Sequence, residues 1–266
     1  MLESYGLTDV GRRRKLNEDS YVVDGETGLF AVCDGMGGHN AGEVASRLAI
    51  EALTAFVQKS AGEEKDITWP YGLERELSFE ANRLKTAIRL ANKRVFKTAD
   101  NREDYTGMGT TAVAALVSGR TLTVGSVGDS RCYLLRGGKL TPLTRDDSWV
   151  SAAWAEGILT PEEIERHPLR NVITKAIGAK DTLDVDIIEQ GLIAGDVVFL
   201  CSDGLHGLVK DEEMLRLLTP PTRPLTSEEL LAWLRGARNG LGDIYQIDRS
   251  ALPLEEGAPQ PPGSQR

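Results

Sequence analysis

The sequence predicts an α+β protein in which antiparallel sheets are flanked by helices. Two observations carry this expectation. Stretches with the two-residue period of strands and stretches with the 3.6-residue period of helices come in blocks, not in strict strand–helix alternation. The strand blocks are divided by short glycine-containing turns, the connections that join antiparallel neighbours.

In chain order, "DSYVVD" (19–24) and "LFAVC" (29–33) read as strands separated by the turn residues Gly25 to Gly28. A helix follows over 41–59, with Val44, Leu48, Ala52 and Phe56 on one face. A second runs over 73–98 on Leu77, Leu84, Ile88 and Val95. Trp69-Pro70 and Gly72 break the chain between them. From Gly109 the period becomes that of strands: "TTAVAALVS", "TLTVGSV" and "CYLLR" are divided by Ser118-Gly119 and by Gly128 to Arg131, and Gly137-Gly138 closes the last with a tight turn. A mainly helical, polar excursion covers about 144–171. Strands are expected at 172–177, 183–189 and 196–201, then short helices at 211–218 and 227–237. The proline-rich end, 250–266, has little to bury and reads as a disordered tail, leaving one domain over 1–249.

Composition excludes several classes of function. Against 31 Lys and Arg stand 40 Asp and Glu, for a net charge of -9. A surface of that sign does not grip a phosphate backbone or an anionic membrane, which need clustered cations. The one dense basic run is Arg12 to Lys15. Cys33, Cys132 and Cys201 lie in or beside apolar segments, and an odd number of cysteines fits no closed disulfide framework. Neither a signal peptide nor a segment approaching the roughly 20 apolar residues of a membrane span is found. A cytoplasmic monomer is the expectation.

Three strands end in an aspartate followed by Gly or Ser: "LFAVCDG" delivers Asp34, "TVGSVGDS" Asp129 and "VVFLCSDG" Asp203. One such dipeptide is an ordinary turn signal. Several carboxylates gathered in one cleft repel one another unless a cation joins them, and an oxygen-only set suits Mg²⁺ or Mn²⁺, not zinc. Glycine beside such a carboxylate lets carbonyls and water approach the ion. "NEDS" adds Glu18 and Asp19 just before another strand. Nearby Arg14 carries a planar fork suited to two phosphate oxygens, although an ordinary surface arginine has the same sequence appearance.

With these residues in view, the chain resembles the metal-dependent protein serine/threonine phosphatases, the PPM or type 2C family, and specifically their bacterial single-domain members. The resemblance runs in order through "TDVGRRRKLNED", "VCDGMGGHNAGEVAS", "GMGTTAV", "VGDSRCY", "LTRDDSWV", "HPLRNVITKAIG" and "LCSDGL", and covers roughly residues 5–240. It implies a two-sheet antiparallel β-sandwich flanked by helices on both sides, with the metal centre in a cleft at one edge. It also implies a role for each matching residue. Asp34 bridges two Mg²⁺ or Mn²⁺ ions, Gly35 binds one through its carbonyl, Asp203 holds the other, and Asp19 supports the site through water. Asp129 helps bind a third, weaker ion, and His167 lies where some members add a histidine from a mobile flap. A helix-end residue before Pro168 is the other reading of His167, and it stays open. Arg14 falls on the phosphate-binding arginine.

This sequence departs from the pattern twice. Where some relatives place a histidine after the Asp-Gly as general acid, this chain has Met36, and His39 is expected to pack or cap. The closing family block "GGxDNxTVV" is reduced to "NGLGDIYQIDRS", in which Asp243 aligns with the aspartate that completes the two-metal site, followed by a short strand. The function implied is hydrolysis of phosphoserine and phosphothreonine in proteins by a metal-bridging water, opposing a serine/threonine kinase. The rival is a catalytically silent phosphatase-like binding module, motivated by the eroded block.

Overall fold

The computed structural model describes residues 2–11, 14–38, 41–61 and 68–219, apart from the side chain of Glu165, together with the backbone of Tyr245–Ile247. The expected helix at 227–237, the proline-rich tail, His39, Arg12, Arg13 and Asp243 lie outside these residues.

Alternation along the strands builds two sheets. The first joins β2 (Asp19–Asp24), β3 (Leu29–Met36), β5 (Ala112–Ser118), β6 (Thr121–Val127) and β9 (Asp186–Gly191) in that order, with the two-residue β4 (Gly109–Thr110) against the end of β3. The second takes β1 (Tyr5–Leu7), β11 (Tyr245–Ile247), β10 (Val197–Cys201), β7 (Arg131–Arg136) and β8 (Lys139–Pro142), side by side in the order named. Each pairing is antiparallel. Odd residues of β3, Leu29, Ala31 and Cys33, face the helix pair α1 (Ala41–Lys59) and α2 (Phe79–Asp100). Its even residues Phe30 and Val32 face the other sheet, meeting Cys132 and Leu200. The outer face of the second sheet, Tyr133 and Phe199 among it, packs on Leu205 of α5 (Asp203–His206) and Met214 and Leu218 of α6 (Asp211–Leu218). The expected order of layers, helix, sheet, sheet, helix, is therefore present. Each Leu or Phe buried in it contributes about 1.5–3 kcal/mol.

Four local readings need correction. The buried stripe of α1 is Ala45, Ala49, Leu53 and Phe56-Val57, turned by one residue from the expected one. The small alanines let α1 lie close to α2 and β3, while Val44, Leu48 and Ala52 are only partly buried. Helix α2 starts at 79, not 73: Ser78 caps it by accepting from the Ala81 N–H, and the buried Asn82 amide folds back on Glu74, Leu77 and Ser78, which holds the preceding residues in turns. The expected strand at 172–177 gives only isolated bridges at Ile173 and Ile177. Its backbone bonds go to different partners, Leu169, Trp149, Asp147 and Thr110, so no ladder can propagate. Conversely, β8 and α5 were not expected. Gly137 and Gly138, both at positive φ, make the two-residue hairpin that pairs Arg136 with Lys139.

The excursion after β8 is helical as expected, with α3 (Trp149–Ala155) and α4 (Pro161–Arg166), the latter opened by a Thr160–Glu163 capping box. All three cysteines are free and buried. Among the described residues no helix is long and apolar enough to cross a membrane.

Candidate metal centre and active site

The β2–β3 register sets Asp19 directly opposite Asp34. Like charges so placed destabilise a ladder, and a third arrives from the other sheet: β10 ends at Cys201 and α5 begins with Asp203. The charges of both Asp19 and Asp203 act on the Asp34 carboxyl. Asp129 lies in the turn where the chain passes from β6 in the first sheet to β7 in the second, and it feels the charge of Asp203. The four aspartates singled out in the described sequence thus gather at one end of the sandwich.

Their electrostatics follow from burial and mutual repulsion. Burial raises Asp19 to about 6, with the Asp34 and Ser202 hydrogen bonds and the Arg14 charge pulling the other way. Burial and then the charges of Asp19 and Asp203 hold Asp34 well above the usual carboxylate range. Burial, Asp203 and Asp146 raise Asp129 to about 7. Without a cation, burial and mutual repulsion favour the protonated forms of Asp19, Asp34 and Asp129.

A hard cation fits this donor set. Asp19 Oδ2 accepts from Ser202 Oγ at 3.2 Å. Its Oδ1 is buried with no hydrogen-bond partner among the described residues, an acceptor that a cation would satisfy. Among the described residues no three His, Cys, Asp or Glu side chains are already spaced around a metal ion. A divalent ion would offset the repulsion among these carboxylates in place of protons.

The backbone here is held tightly. Asp34 N–H donates to Thr111 Oγ1 at 3.0 Å, and Asp34 O accepts from Thr110 Oγ1 at 2.8 Å and from the Thr111 N–H at 2.9 Å. Gly35 N–H donates to Glu18 O at 3.1 Å. A Cβ on Gly35 would overlap the Gly42 carbonyl oxygen at the start of α1 and lie 2.5 Å from Glu18 O, so only glycine fits. Arg14 is 57% exposed and lies 3.8 Å from the Glu18 carboxylate, a weak contact that leaves its guanidinium open to a ligand. His167 caps the C-terminus of α4. Its Nδ1 accepts the Leu169 N–H at 3.2 Å, and its ring stacks on Trp149 at 4.8 Å, the geometry of a helix-end residue.

Sequence reading missed the groups that position these acids. Thr111 and Ser130, both buried, share a hydroxyl hydrogen bond of 2.7 Å that ties the start of β5 to the Asp129 turn. His206 Nε2 stands 2.9 Å from Asp129 O. Burial and the Arg131 charge lower the His206 pKa, so the ring is neutral near pH 7 and, since a carbonyl only accepts, Nε2 carries the proton. Arg131 grips Asp146 with two bonds of 2.8 and 2.7 Å, and Gly128 exchanges bonds with Asp147, latching the root of the helical excursion to the same turn. A signal existed: hydroxyl residues flank the acids in "GDS" and "CSDG", and His206 lies one helical turn beyond Asp203.

Comparison with known proteins agrees with this architecture. The family model described as Protein phosphatase 2C matches residues 11–237. The chain is 35% identical over 255 residues to the serine/threonine protein phosphatase PstP of Mycobacterium tuberculosis, a match covering 96% of this chain and 46% of that protein. The chain therefore spans about half the length of that relative. It is 34% identical over 218 residues to the serine/threonine phosphatase stp of Listeria monocytogenes, covering 79% of this chain and 81% of the relative. The crystal structure of the PstP catalytic domain in complex with two manganese ions superposes with a TM-score of 0.75 at 33% identity, covering 93% of this chain and 97% of that one. On this match of sequence and fold, the chain belongs to the protein phosphatase 2C family.

Proposed function

We propose that the chain is a metal-dependent protein serine/threonine phosphatase, hydrolysing phosphoserine and phosphothreonine. The observation that carries this reading is the set Asp19, Asp34 and Asp203 with Asp129 beside it, drawn from both sheets into one largely buried cluster of mutually repelling carboxylates. Similarity to relatives named as serine/threonine phosphatases supports the reaction, and the two manganese ions of the PstP domain support the cofactor.

In this reading Asp34, the Gly35 carbonyl, Asp203 and Asp243 would hold two Mn²⁺ or Mg²⁺ ions, Asp19 would support them, and Asp129 would serve a third. When bound, such ions neutralise the carboxylates and supply an activated water. The chain's own residues do the rest. Thr110 and Thr111 hold the Asp34 backbone so that its carboxyl stays aimed at the centre. Arg14, exposed beside the acids, grips the phosphate and orients it for attack. No side chain nucleophile is needed. The protein works on the products of a serine/threonine kinase, as a monomer in the cytoplasm, where its three buried thiols stay reduced.

Hydrolysis of a phosphothreonine peptide with Mn²⁺ tests this. Turnover should require the metal and fall by about 100-fold or more in Asp34→Asn, the scale of losing one preorganised electrostatic group. Equal rates in wild type and variant would refute the assignment. Titration calorimetry with Mn²⁺ separates the enzyme, which binds at two sites, from a silent module, which binds none.

A further inference from the structure

Past Asp34, β3 runs on for two residues to Met36, about 6–7 Å further along the strand. Met36 forms one wall of a groove of about 260 Å³. Phe96 and Ala99 from the last turns of α2 face it, Met108 lies beneath, and Ala176 and Ala179 close the side that follows the helical excursion. A Cβ at Gly109 would stand 3.6 Å from Met36 Cγ and 3.8 Å from the Ala176 Cβ, so a side chain there would fill the groove. Its only ionisable lining residue is Asp100, at the exposed end of α2.

We propose that this groove is a specificity subsite that takes an apolar side chain of the phosphorylated substrate, within two residues of the phosphorylated one. The proposal rests on the phosphatase reading. Met36 lies on the same strand as Asp34, two residues on, so a polypeptide that presents its phosphate to Asp34 and Arg14 brings a neighbouring side chain within reach of the groove. Apart from Thr106 and the exposed Asp100, the side chains that line it are those of Met, Phe and Ala, which favour an apolar occupant. Two unbranched, polarisable methionines adapt to aliphatic and aromatic shapes alike. Because the residues that line it differ from those that hold the phosphate, the groove selects among substrates without altering the chemistry.

The test is a set of phosphothreonine peptides carrying Leu or Gly at each position from two before to two after the phosphothreonine, assayed on the full chain with Mn²⁺. At one position Leu should raise kcat/KM about tenfold over Gly, the discrimination an apolar pocket delivers. Ala99→Phe fills the groove from α2, and Ala179→Phe fills it from an exposed position that tolerates a larger side chain without threatening the fold. Each should reduce the preference to about twofold or less while p-nitrophenyl phosphate, which has no flanking residues, is hydrolysed at the wild-type rate. A preference absent in wild type, or retained in both filled variants, overturns the subsite. Wild-type protein inactive on p-nitrophenyl phosphate as well as on the peptides overturns the phosphatase reading and the subsite with it.

Discussion

At the scale of single residues, the centre is set by burial and by the mutual repulsion of its carboxylates. Asp19 and Asp129, raised to about 6 and about 7, hold protons in the folded protein that an unfolded chain releases near pH 3.8. Their contribution to stability is complete below that unfolded value and is lost as pH rises through 6 and 7. Asp24 and Asp196, lowered chiefly by the Gln58 and Arg136 hydrogen bonds respectively, act oppositely: their contribution is present above 3.8 and fades as pH falls through their folded values. Metal-free protein should therefore be most heat-stable near pH 4 and lose stability between about pH 4 and 7, which scanning calorimetry against pH will show. A second prediction concerns His206. Its Nε2–H is the link between α5 and the Asp129 turn. His206→Gln, which keeps a donor on a side chain of similar reach, should retain most Mn²⁺ affinity, while His206→Ala should weaken binding about tenfold, the usual size of such a supporting contact.

Among the elements, close approach of backbones matters most. The start of α1 presses on β3 so tightly that Gly35→Ala cannot be accommodated without parting them. Gly38, with open space around its Cβ direction, supplies the control. Gly35→Ala should abolish Mn²⁺ binding and cost several kcal/mol in denaturant unfolding, as backbone overpacking does, while Gly38→Ala should bind the metal normally. Helix α2 depends on its cap: Ser78→Ala leaves the Ala81 N–H without its partner and should cost about 1 kcal/mol, a fall of about 2–4 °C in Tm for a chain of this size.

For the whole molecule, the centre is a seam between two sheets. Asp19 and Asp34 belong to one, Asp203 follows the other, and Asp129 lies on the crossing between them. A cation held by both sides joins the layers as a cross-link would. At a free Mn²⁺ concentration about 100 times its Kd the folded state should gain about 2.7 kcal/mol. EDTA should reverse the gain, and near pH 5, where protons compete for the same oxygens, the gain should shrink. A Tm unmoved by Mn²⁺ at pH 7.5 would mean that the acids do not hold the ion.

The sequence by itself determined the α+β class, the strands at 19–24 and 121–127, the helices at 41–59 and 211–218, and the aspartates that meet at the centre. These are legible because local periodicity and turn chemistry act over a few residues, and because an aspartate that ends an apolar strand is conspicuous. Only the tertiary structure decided which face of α1 is buried, since close packing favours Ala45 and Ala49 over the larger Val44 and Leu48. It alone broke 172–177 into isolated bridges, because the partners of that segment come from distant parts of the chain. It likewise brought Ser130 to Thr111 and His206 to Asp129. A hydrogen bond between residues 77 positions apart leaves no period in a sequence; it exists only when two sheets have already packed.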